Sequence, residues 1–183
     1  MSRDMDIANI FAGLMHRYQK ANNVENECVT NVQYLFDQLH SLGIKCKASP
    51  AIVMSEDEMI NKGHVVILLE DGSVIDPSYE IARLQNIQYY DNIKVFINMF
   101  HKECFEDEET KDVFKDIIKH FISFNNLANR INDSLQTGKT AVVCDNKHYN
   151  KQADYMDIHL SFYFSKYLEN REKGENQEKS GCL

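Results

Sequence analysis

The chain has 183 residues, 43% of them hydrophobic, with a formal charge of −8, and that length encloses one ordinary core without disulfide or metal staples. Lysine and arginine are scattered, so the basic stripe that a phosphate-tracking surface needs is missing, which argues against nucleic acid as a partner. No apolar run approaches the length that spans a bilayer, which argues against a membrane span.

Residues 1–21 place Ile7, Ile10, Phe11, Leu14, Met15 and Tyr18 at helical spacing, so the chain is expected to open with an amphipathic helix that ends near Ala21. The polar run NNVEN breaks it. A second helix follows, with Cys28, Val32, Leu35, Phe36, Leu39 and Leu42 on one face and Gly43 as its C-terminal cap. Residues 44–54 read as extended, and Ser55-Glu56-Asp57-Glu58 resembles a capping box that opens a short helical turn before Gly63.

The stretch GHVVILLEDGSVIDP, residues 63–77, reads as two strands joined by a turn. Val65, Ile67, Leu69 and Ile75 alternate with Val66, Leu68 and Val74, so both faces are apolar and the pair belongs inside a sheet. A three-residue loop with Glu70-Asp71 as a type I turn and Gly72 left-handed pairs Leu69 with Ser73. Asp76 then falls opposite Val66, diagonal to His64 on the same face, a separation of roughly 7–8 Å between Cα atoms that polar side chains can close. A two-residue turn would send the two side chains to opposite faces.

Further on, Ile93, Phe96, Ile97 and Phe100 suggest a helix over residues 91–104, and the acidic EDEE separates it from another. In that one Phe114, Ile117, Phe121, Phe124, Ala128, Ile131 and Leu135 step by threes and fours, giving a long helix with a narrow apolar seam. TAVVC, residues 140–144, is a strand candidate. Residues 154–168 fit both periodicities, with helix favoured, and the polar residues 170–183 are expected to be disordered.

Cys28 falls in the first turn of its helix, with Asn26 as the expected cap, where unpaired N–H groups and the helix dipole favour a thiolate. A cysteine on an apolar helical face is otherwise a small core residue. A histidine beside an aspartate at a sheet rim can have its tautomer fixed by the carboxylate while its other nitrogen faces a nucleophile. These pieces, CVTNVQYL at a helix start, LGI at its end, GHVVI heading a strand and VIDP ending the next, resemble the core of the transglutaminase-like superfamily.

The resemblance covers residues 22–79 and implies a papain-like fold, with Cys28 as nucleophile, His64 as general base and acid, and Asp76 orienting His64. Papain-like peptidases carry an oxyanion-hole amide six residues before the nucleophile, which Asn22 matches here. Glu27 stands where the family commonly has a small residue, and the chain has no tryptophan.

Other signals carry less. Gly138-Lys139-Thr140 lacks the leading glycine of a phosphate loop, since Asp133 stands there. Cys144, Asp145, His148 and His159 match no common zinc spacing and read as a turn after a strand. His16, His40, His101 and His120 read as solvent-facing.

The expectation is therefore an α+β domain over residues 1–169. A papain-like core at about 22–80 packs its nucleophile helix on a small antiparallel sheet, helices over about 91–169 extend it, and residues 170–183 form a tail. The activity implied is hydrolysis of a peptide or isopeptide amide through a Cys28 thioester. Acyl transfer to an amine, as in a transglutaminase or arylamine acetyltransferase, is the alternative, or a catalytically silent interaction module. A protein or peptide substrate is the expected partner, and no metal or organic cofactor is implied. Five irregularly spaced cysteines and an N-terminus unlike a signal sequence suggest a reducing, cytoplasmic compartment.

Overall fold

Ser2 accepts the Met5 backbone N–H and starts helix α1, Arg3–Asn22. Asn23 ends it in the left-handed region, with φ 50°. This is a computed structural model that describes residues 2–55, 60–137 and 145–180. Helix α2, Cys28–Ser41, closes on Gly43 at φ 74°. There the Ile44 N–H bonds the Leu39 carbonyl and the Gly43 N–H bonds that of His40, a pairing that satisfies the last carbonyls of the helix.

Four strands follow: β1, Cys46–Ser55; β2, Ile60–Leu69; β3, Val74–Ile75; and β4, Ile87–Tyr90. They form one antiparallel sheet in the order β3-β2-β1-β4. Strand β2 starts three residues before Gly63, and Ser55 pairs with Ile60, so no helical turn directly precedes Gly63. Residues 56–59, where the capping box was expected, lie outside the described residues.

The β2–β3 loop has the expected form. The Leu69 N–H bonds the Ser73 carbonyl, the Gly72 N–H bonds that of Leu69, and Gly72 has φ 85°. The register pairs Ile67 with Ile75 and Leu68 with Val74.

Short helices α3, Tyr79–Ala82, and α4, Ile93–Ile97, flank β4, and a 3₁₀ turn, Lys102–Phe105, replaces the rest of the helix expected through residue 104. Strand β4 has only the four residues IQYY, too short for a periodic signal, and sequence reading passes over it. Helix α5, Glu108–Thr137, buries Phe114, Ile117, Ala128 and Ile131, whereas Leu135 at the end of the seam is exposed.

Helix α6, Asn146–Ser180, resolves the ambiguity at 154–168 in favour of helix. It also continues through 170–180, where disorder was expected. Those residues are mostly Glu, Lys, Arg, Asn and Gln, several of them good helix formers even with no apolar face to bury. The TAVVC strand candidate and residues 181–183 lie outside the described residues.

The fold class is α+β, as expected. One core joins Ile7, Phe11 and Met15 of α1 and Val32, Leu35, Phe36 and Leu39 of α2 to Val65, Ile67 and Ile75 of the sheet, with Ile131 of α5 and Met156 of α6. Burial of each such side chain contributes about 1.5–3 kcal/mol. A second cluster, Ile52, Phe96, Phe114 and Ile117, fixes α4 and α5 to the other end of β1.

Candidate active site

Cys28 opens α2 and lies 8% exposed. The cap is Glu27, not Asn26, and no side chain bonds the first-turn N–H groups. Asn26 instead has φ 61° and donates its N–H to Glu80 Oε1 at 3.0 Å. The helix start therefore presents backbone donors beside the sulfur, because the first N–H groups of a helix have no partner within it.

His64 stands on β2 with 1% of its surface exposed. Its Nε2 meets Asp76 Oδ2 at 2.9 Å, so the two side chains share a face of the sheet as the three-residue loop requires. The other ring nitrogen, Nδ1, is not engaged by Asp76, and Cys28 lies close enough to His64 to influence its protonation. Burial lowers the proton affinity of His64, but the Asp76 charge and hydrogen bond, with those of Cys28, outweigh it and raise the pKa to about 10. Asp76 and Cys28 both favour the charged form of the ring.

Asp76 is itself held on every side. Oδ1 accepts the Ser78 N–H at 2.9 Å, and Oδ2 accepts the Tyr89 hydroxyl at 2.8 Å. Its backbone carbonyl accepts from His16 Nε2 at 2.8 Å. One turn along α1, Gln19 donates to the Pro77 carbonyl at 2.8 Å and accepts the Tyr79 N–H at 2.8 Å. Helix α1 thus grips residues 76–79 through two side chains three apart, which lie on one face.

A further chain of hydrogen bonds runs to α6. His148 Nε2 donates to Asn31 Oδ1 at 2.9 Å, and Asn31 Nδ2 donates to the Ser78 hydroxyl at 3.3 Å. Burial lowers the pKa of His148 against the opposing charges of Glu27 and Asp145.

Cys28 and His64 border a cleft of about 350 Å³, with Asn26, Glu27, Lys62, Glu80 and the α5 residues His120 and Phe124 around it. Helix α5 comes so close to β2 that only a glycine fits at 63. A Cβ there would lie 2.9 Å from the His120 Cβ and 3.1 Å from Phe124 Cδ2. Behind Asp76 a second cavity of about 320 Å³ is bordered by His16, Asp76 and Tyr89.

Cys28, His64 and Asp76 therefore come together, and Asn22 does not join them. Asn22 is exposed and its amide donates to the Tyr18 carbonyl at 2.8 Å, a bond within its own helix. Asn26 is the side-chain amide bordering the cleft. His16 and His40 are not solvent-facing: the first bonds Asp76 and the second bonds the Cys46 carbonyl at 3.0 Å. His120 is exposed but forms part of the cleft wall.

Sequence reading missed Gln19 and Tyr89. Gln19 left a signal, since it follows Ala8, Ala12 and Met15 along an apolar helical stripe, where a polar side chain is informative. Tyr89 left none. Among the described residues no group of three or more His, Cys, Asp or Glu side chains is arranged to hold a metal ion, and no helix is long and apolar enough to cross a membrane. In comparison with known proteins, no family model, no curated protein and no solved structure matches the chain.

Proposed function

We propose that this protein is a cysteine hydrolase of peptide or isopeptide amide bonds with a papain-like, transglutaminase-like core, acting through a thioester on Cys28. One observation carries the reading: His64, whose Nε2 lies 2.9 Å from Asp76 Oδ2, borders the same cleft as Cys28. A nucleophile, a base and a group that orients the base are the parts that acyl transfer through sulfur needs.

In the proposed cycle His64 takes the Cys28 thiol proton as the sulfur attacks the amide carbonyl carbon. The Cys28 backbone N–H, with the Asn26 amide in the place first assigned to Asn22, faces the developing oxyanion. His64 protonates the leaving nitrogen, the C–N bond breaks and the thioester remains on Cys28. Neutral His64 then takes a proton from water, the hydroxide equivalent attacks the thioester, and the sulfur departs beside a reprotonated ring.

Iodoacetamide labelling across pH, with Cys28→Ala and His64→Ala as controls, tests the reading. One thiol is expected to react fast at neutral pH, with the fast phase abolished by Cys28→Ala and slowed by His64→Ala. Uniformly slow labelling of every cysteine would remove the case for a peptidase. A labelled primary amine offered with a Gln-containing protein separates hydrolysis from amine transfer, because only a transferase incorporates the label.

A further inference from the structure

Asp76 Oδ2 takes two donors, His64 Nε2–H at 2.9 Å and the Tyr89 hydroxyl at 2.8 Å. Tyr89 comes from the far edge of the sheet. It stands on β4 opposite Val53, which pairs with Lys62 across β1 and β2, while Asp76 follows β3 at the other edge. Strand parity puts Tyr89, Lys62, His64 and Asp76 on one face, and the curl of the sheet brings the phenol across to the carboxylate.

We infer that Tyr89 is a positioning residue acting through Asp76: it shares the charge of Oδ2 with His64 and so loosens the hold of the carboxylate on the imidazolium proton. This rests on the proposed function for its purpose. A hydrogen bond to an anion strengthens when that anion loses its cationic neighbour. The Tyr89–Asp76 bond is therefore stronger when His64 is neutral than when it is charged, and it favours the neutral ring. Without the hydroxyl the whole charge of Oδ2 falls to His64, and the proton is given up less readily to a leaving amine.

A second feature fits this role. The Oδ1 atom is already occupied by the Ser78 N–H at 2.9 Å, and the carboxylate is buried, so its two donors at Oδ2 share one partly screened charge. Tyr89 is half-buried and borders the cavity behind Asp76, away from the cleft that holds Cys28. It touches neither the proposed nucleophile's cleft nor the reacting bond, so its influence runs through the carboxylate alone.

The test is an NMR titration of the His64 ring in the full chain labelled at histidine, with the resonance assigned by its loss in His64→Gln. Tyr89→Phe is expected to move the His64 midpoint up by about half a unit or more, the scale on which a hydrogen bond to a charged group acts. In an Asp76→Asn background the same substitution is expected to move it by much less. Uniform 3-fluorotyrosine, whose hydroxyl donates more strongly, is expected to move the midpoint down in the parent chain and leave it in place in Tyr89→Phe.

This second arm needs no residue to be removed and holds even if Tyr89→Phe folds poorly. No shift, a downward shift in Tyr89→Phe, or an equal shift in the Asp76→Asn background would overturn the inference. Because the readout is a ring titration, it is independent of whether Cys28 is the fast-alkylating thiol; loss of that fast phase in the parent would instead sink the proposed function.

Discussion

His64 and Asp76 meet at 2.9 Å because the loop between their strands has three residues and not two. Leu69 pairs with Ser73, so Asp76 comes opposite Val66 and on the face of His64. The left-handed Gly72, at φ 85°, makes that loop possible. A β-branched residue in this conformation is strained by about 1–2 kcal/mol. Gly72→Val is expected to lower unfolding free energy by about that amount, read from urea denaturation.

Asp76→Asn keeps the shape of the side chain and removes the charge that holds the imidazolium. Any Cys28-dependent hydrolysis is expected to fall on the order of 10³–10⁴-fold, the scale seen when the orienting carboxylate of a triad is neutralised. The fold is expected to persist, so circular dichroism measured beside the rate separates lost chemistry from lost structure. A rate within about tenfold of the parent would mean that Asp76 does not orient His64 for catalysis.

Gly63→Ala would set a Cβ 2.9 Å from the His120 Cβ and 3.1 Å from the His120 backbone carbon. Those atoms belong to the frame of α5, so a side-chain rotation cannot relieve the contact and the helix must shift. Overpacking of this kind costs about 1–3 kcal/mol. Lower urea resistance and slower alkylation of Cys28, whose cleft has α5 as a wall, are the expected outcomes.

Stability should fall on both sides of neutrality, for different residues. The folded pKa of His64 is raised from 6.5 to about 10, because Asp76 and Cys28 outweigh the burial of the ring. The native state then binds the proton more tightly than the unfolded one. That contribution is fully present below pH 6.5 and is lost as pH rises towards about 10. His16 and His148 shift the other way, since burial outweighs their neighbouring charges, and their contribution is lost as pH falls below the ordinary histidine value. Urea midpoints from pH 5 to 10 check both limbs. His64→Gln is expected to flatten the alkaline one.

The same physics sorts the thiols. Burial pushes the Cys46 thiol up to about 12, so it stays protonated and slow towards iodoacetamide at neutral pH. Fast labelling that survives Cys28→Ala and is removed by Cys46→Ala would contradict the assignment of the nucleophile. Peptide mapping of the alkylated cysteine reads the outcome directly.

Gln19→Leu removes the donor to the Pro77 carbonyl and the acceptor of the Tyr79 N–H. A buried backbone group left without a partner costs about 1–3 kcal/mol, and the segment carrying Asp76 is the one released. A lower urea midpoint is expected, together with a slower Cys28 reaction.

What the sequence by itself determined lies within short reach along the chain. The apolar stripes of α1 and α2, the glycine that ends α2, and the loop that sets the register of Asp76 against His64 are local, because periodicity, left-handed glycine and strand parity act over a few residues. Tertiary structure alone decided the rest. Tyr89 reaches Asp76 from the opposite sheet edge, His16 and Gln19 grip residues 76–79 from 58 to 60 residues away, and His120 sets the demand for glycine at 63. Each of those contacts depends on how distant elements pack against one another. That packing gathers its free energy from surfaces that meet only after the chain has folded, and no local pattern records it.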